Sequence, residues 1–157
     1  APGFIVFSLL LQNNAPLYLL PTAFFIPLFS ALRLAKFNID SRQTENFLGL
    51  ATPANAVFWG SFATLPLYMF FNHSQTITLT ISLLVLFCLL MISELPMFSL
   101  KFRNLVWREN TVRYIFIALS IALLVIFRTN GLAAIILLYI LLSLVVFLTR
   151  KQSQEQQ

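Results

Sequence analysis

LYLLPTAFFIPLFSALRLAKF, residues 17–37, is the stretch from which the fold follows. A bilayer core takes about 20 apolar residues as a helix, and this run is long enough to cross it. Pro21 and Pro27 remove backbone donors and are expected to kink or loosen that helix. Arg33 and Lys36 arrive before the apolar run is over, and Asn38, Asp40 and Arg42 follow in a short polar segment. Apolar sequence resumes at Gly49-Leu50-Ala51-Thr52-Pro53. Two cations at the end of a membrane helix read as the polar lip of a membrane-embedded site for an anionic substrate.

The rest of the chain has the same solvent in view. Its 157 residues are 59% hydrophobic and 10% charged, with a mean hydropathy of +0.88. A soluble domain carries about 25% charged residues, so this is an integral membrane protein. Barrel strands would alternate apolar and polar residues in segments of about ten, whereas the runs here are continuous. Residues 4–11 are too short to span, and Gln12-Asn13-Asn14-Ala15-Pro16 is a turn. Further spans are expected at 54–71, 77–100, 114–127 and 132–148. The expected architecture is therefore an all-α polytopic transmembrane bundle, about five full spans plus the tail of one cut at the N-terminus. Residues 1–148 form the membrane domain and 149–157 a polar tail, expected to be disordered. Trp59 and Tyr68 sit where aromatic belts meet the interface. The opening Ala1-Pro2-Gly3 has no initiator Met and no basic leader region before it, so the chain is expected to be the C-terminal part of a larger protein.

Alternate loops fall on opposite sides, and the basic residues sort accordingly. Arg33, Lys36, Arg42, Lys101, Arg103, Arg108, Arg113, Arg150 and Lys151 share one side, and Arg128 takes the other. The positive-inside rule makes the rich side cytoplasmic. The net charge of +5 then reflects topology and attraction to anionic lipid. No soluble basic domain exists to present these charges to nucleic acid.

Arg33 and Lys36 are three apart and share a helix face. A guanidinium just below the interface can pair two oxygens of a carboxylate or phosphate, while an ammonium adds charge without that geometry. The plainer alternative is snorkelling toward headgroups, and Asp40 stands where it could simply pair with Lys36. Glu94 lies inside an apolar run, where an ionisable group marks a function or a partner. Pro96 and Ser99 favour a wet, frayed helix end with Glu94 paired to a loop cation. Thr52 is placed as an N-cap with Pro53 at the first helical position. That terminus could also receive an anion. Cys88 is the only cysteine and His73 the only histidine, so neither a disulfide nor a zinc site follows. Asn72-His73-Ser74 matches a glycosylation sequon and is read as a plain loop. No Gly-rich phosphate loop, no nucleophile with a His partner and no metal-holding group of acids appears.

Three stretches together resemble the CDP-alcohol phosphatidyltransferase family, in particular the bacterial phosphatidylserine synthases. Residues 31–38, ALRLAKFN, resemble A-L-R-L-A-R-F-N, with Lys36 replacing the second Arg. Residues 49–54, GLATPA, resemble G-L-P-T-P-A, with Ala51 replacing a proline. Residues 93–102, SELPMFSLKF, are similar to S-x-I-P-x-x-S-L-K-F. Order and spacing agree, and the coverage runs up to the last two helices. The resemblance implies transfer of the phosphatidyl group from CDP-diacylglycerol to L-serine, releasing CMP, at the bacterial inner membrane. It implies Arg33, Lys36, Asn38 and Thr52 as substrate-binding residues, holding the serine carboxylate or a substrate phosphate. It also implies a divalent cation, Mg²⁺ or Mn²⁺, held by aspartates of a D-x-x-D-G-x-x-A-R element that this chain lacks and that would lie ahead of Ala1. Members of the family are often dimers. Glycerol phosphate or inositol phosphate are the alternative acceptors. A rival of another class is a transporter or channel subunit, with the proline-broken helix and Glu94 lining a pathway.

Overall fold

The computed structural model describes residues 1–39, 47–97 and 107–155, apart from the side chains of 47, 107–109 and 150–155. The architecture is all-α. Its helices are α1 (Pro2–Gln12), α2 (Phe25–Ile39), α3 (Thr52–Phe62), α4 (His73–Ile92), α5 (Trp107–Phe127) and α6 (Gly131–Glu155). Two short strands, β1 (Phe47–Leu48) and β2 (Pro96–Met97), pair antiparallel, with Phe47 opposite Met97 and Leu48 opposite Pro96.

The prolines of the opening stretch act as their chemistry requires. Residues Leu17–Phe24 form a 3₁₀ helix containing Pro21, and α2 starts beyond it. Pro27 sits in the first turn of α2, where its missing N–H would have no partner anyway. The stretch Leu17–Ile39 is nonetheless continuous, apolar and long enough to cross a membrane, as are His73–Ile92 and Asn110–Thr149. The last of these is folded on itself. Arg128 adopts φ +52°, and a 3₁₀ turn at Arg128–Asn130 separates α5 from α6. Gly131 then packs so closely on α5 that a Cβ there would lie 2.6 Å from the Leu123 carbonyl oxygen. With 21 residues in α5 and 25 in α6, each leg rises about 30 Å or more.

Four boundaries differ from the sequence expectation. The span expected at 54–71 is not one helix. α3 stops at Phe62, and Pro66 precedes only a short 3₁₀ turn at Leu67–Met69. Eleven residues of α3 rise about 16 Å, roughly half a bilayer core. α4 starts at His73 rather than Ile77, because Asn72 and Gln75 form a capping box; the Asn72 amide donates to Gln75 Oε1 at 3.0 Å. The same helix ends at Ile92, ahead of Glu94. α6 runs on through the expected tail to Glu155, a segment of good helix formers.

The core is aromatic and lies between α3 and α4. Phe58 stacks on Phe87 at 4.1 Å between ring centroids, and Trp59 meets Phe58 edge-on at 5.3 Å. Trp59 is wholly buried, which corrects its placement at the interface; Tyr68 is exposed, as a belt residue would be. Because lipid is as apolar as these rings, what such contacts gain is van der Waals packing rather than escape from water. Leu17, Tyr18, Val125 and Ile126 point outward, the face a bilayer would cover.

Candidate functional site

Connections at the two ends of the bundle hold different chemistry. At one end His73 Nδ1 lies 3.1 Å from Asn13 Oδ1, tying the α1 turn to the start of α4. There too Ser61 donates to the Thr129 carbonyl at 2.8 Å and accepts from the Ala133 amide at 3.0 Å. An open groove of about 470 Å³ lies beside Asn13 and His73, remote from the cationic residues. The sequon asparagine, Asn72, is spent on capping α4.

The other end gathers the three stretches that carry the resemblance. α4 finishes there with carbonyls that have no partner within the helix and with the negative end of its dipole. Lys36 of α2 reaches across and donates to the Ile92 carbonyl and to Glu94 Oε1, each at 3.2 Å. The Leu50 amide donates to the Leu90 carbonyl and the Gly49 amide to the Leu95 carbonyl, each at 2.9 Å. Ser93 closes the helix through its amide to Leu89 O at 3.0 Å and its hydroxyl to Leu90 O at 2.9 Å. Only glycine suits position 49. Its φ is +71°, and a Cβ would meet the carbonyl oxygens of Ser93, Leu90 and Met91 at 2.8–2.9 Å.

The four predicted binding residues fare differently. Arg33 is half-buried, and its Nε is buried without a partner. Lys36 is half-buried and ion-paired to Glu94, so its charge is partly neutralised by the protein itself. Glu94 is thus a paired residue beyond a helix end, and its named partner is Lys36 on α2 rather than a cation of the following loop. Asn38 is exposed near the end of α2. Thr52 is not the N-cap. Ala51 takes that position with extended backbone (φ −64°, ψ 135°) and accepts from the Asn55 amide, so Thr52 is the first helical residue. Thr52 and Ser30 instead line a cavity of about 320 Å³ with Gly3, Phe24, Pro27 and Ala56. Asp40, Arg42, Lys101, Arg103 and residues 98–102 of the third stretch lie outside the described residues, as do the side chains of Arg108, Arg150 and Lys151.

Several polar residues near these helices escaped the sequence reading. Asn55 is fully buried, donates to Met91 Sδ at 3.5 Å and leaves its Oδ1 unpartnered. Ser30 donates to the same sulfur at 3.9 Å. A lone Asn inside an apolar helix was the signal available for Asn55. Tyr139 and Ser143, four apart on α6, were read as part of a plain span. Among the described residues, no three His, Cys, Asp or Glu side chains come together to hold a metal ion. No protein-family model, curated protein or solved structure matches this chain.

Proposed function

We propose that this chain forms the acceptor-recognition part of a CDP-alcohol phosphatidyltransferase of the phosphatidylserine-synthase type. The observation that supports it is the meeting of three stretches far apart in sequence at one end of α4. Lys36 of the first, Gly49 and Leu50 of the second, and Ser93 to Met97 of the third bond to one another there. The polar end built in this way faces the cytoplasm, where CDP-diacylglycerol headgroups and L-serine are both reached. In the reaction the serine hydroxyl oxygen bonds to the phosphatidyl phosphorus, the bond from that phosphorus to CMP breaks, and the hydroxyl proton passes to a base. A divalent cation would be expected to assist, but the described residues offer no group to hold one. This chain's part is therefore to bind and orient the anionic groups, through Arg33 above all.

An aspartate-rich D-G-x-x-A-R element in the coding sequence ahead of Ala1 would support the proposal, and an apolar helix without aspartates there would defeat it. CMP release by the full-length protein, with and without Mg²⁺ or Mn²⁺, is expected to depend on L-serine. Dependence on glycerol phosphate or inositol phosphate would reassign the acceptor. The 3₁₀ stretch Leu17–Phe24 and the short α3 also suit a transporter's broken helices. Serine uptake into vesicles without CMP release would favour that rival.

A further inference from the structure

Arg33 carries a charge that nothing in the described structure balances. It sits half-buried among apolar neighbours on α2, and it makes no hydrogen bond or ion pair among the described residues. Lys36, one turn on, is held by Glu94 and the Ile92 carbonyl. A desolvated guanidinium left unpaired is costly, so this arrangement is stable only if something anionic comes to it. α6 passes the same end of α2. It packs against β2, which begins two residues after Glu94, the residue that Lys36 grips. The Tyr139 phenol lies within electrostatic reach of the Arg33 guanidinium and beside Ser143. Ser143 is 3% exposed, and its Oγ has no partner. Residues four apart on a helix share a face, so the two hydroxyls form one polar strip on an otherwise apolar helix.

We propose that Arg33 of α2 and Tyr139 and Ser143 of α6 form one binding site for a single carboxylate or phosphate group. The guanidinium supplies the charge and a two-point contact. The α6 hydroxyls supply neutral donors, and a ligand oxygen would satisfy the buried Ser143 hydroxyl. The site places a residue pair from the last helix, outside the three stretches, in contact with the substrate. Only the identity of the ligand rests on the transferase proposal; the site itself does not.

The test is ligand-induced stabilisation of the purified full chain in detergent, read as the shift in thermal unfolding. L-serine, inorganic phosphate and dioctanoyl phosphatidic acid serve as probes for the wild type, Tyr139→Phe and Ser143→Ala. Each variant is expected to weaken the bound probe about tenfold, as loss of a hydrogen bond to a charged group does. Ser120→Ala removes another buried, unpartnered hydroxyl, on α5, and should leave binding unchanged. L-serine as the sensitive probe identifies a free carboxylate; phosphatidic acid or phosphate identifies a phosphate and moves serine away from Arg33. Binding that both variants leave within about twofold, or no stabilisation by any probe, overturns the site. CMP release assayed alongside separates the two proposals. Turnover with insensitive binding overturns this site alone, and sensitive binding without turnover overturns the transferase alone.

Discussion

Gly49 shows how much one residue can decide. Its left-handed backbone lets the chain lie against three carbonyl oxygens at the end of α4. Gly49→Ala is expected to cost about 2 kcal/mol or more, measured by unfolding in mixed micelles; a change below about 0.5 kcal/mol would mean the segment does not sit there. Arg33→Lys keeps the charge and loses the fork. It is expected to raise the KM for L-serine or CDP-diacylglycerol about tenfold at constant expression, and unchanged kinetics would sink the assignment. The pair Lys36–Glu94 is weaker than its position implies, because its side chains are 37% and 60% exposed. A double-mutant cycle with Lys36→Gln and Glu94→Gln should return about 0.2–1 kcal/mol of coupling. Residue types announced Arg33, Lys36 and Glu94 as polar intruders in apolar runs. That Glu94 pairs with Lys36, 58 positions away, could not be read from spacing, since no helical period relates them.

At the scale of elements, capping decided where helices begin and end. The N-x-x-Q pattern at Asn72 and Gln75 was legible and moves the start of α4 to His73. Asn72→Ala should lower stability by about 1 kcal/mol, read in the same unfolding assay. α3 is shorter than its hydropathy suggested because apolarity measures solvent preference and not helical continuity; Pro66 and its neighbours break the run. What holds the end of α3 is a long-range contact. Ser61 accepts from the Ala133 amide in the first turn of α6 and donates to the Thr129 carbonyl, acting as a cap supplied by another helix. Ser61→Ala strands a buried donor and is expected to cost about 1–3 kcal/mol, with the loss confined to the α3–α6 junction in hydrogen exchange. A serine in an apolar run gives no hint of which helix it will cap.

At the scale of the molecule, the helix ends separate into two sets. Lys36, Gly49 and Glu94 meet at one end, and Asn13, His73, Ser61 and Asn130 at the other. In a Cys88→Ala background, a cysteine at Asn38 should react with an impermeant thiol reagent from the cytoplasmic side only, and one at Asn14 from the opposite side only. Labelling of both from the same side would overturn the charge-based orientation. The membrane fold itself was determined by the sequence alone, because a chain this poor in charge and rich in continuous apolar runs has no water-facing solution. The candidate residues Arg33, Lys36, Asn38 and Thr52 were likewise named from their types and positions. Only the tertiary structure decided which of them are already engaged and what stands beside them. It gives Lys36 to Glu94, moves Thr52 off the cap and into a cavity wall, and leaves Arg33 unpaired near Tyr139. Hydropathy is a property of a residue and its solvent, whereas pairing depends on which helices pack, and that is settled by contacts between residues many turns apart.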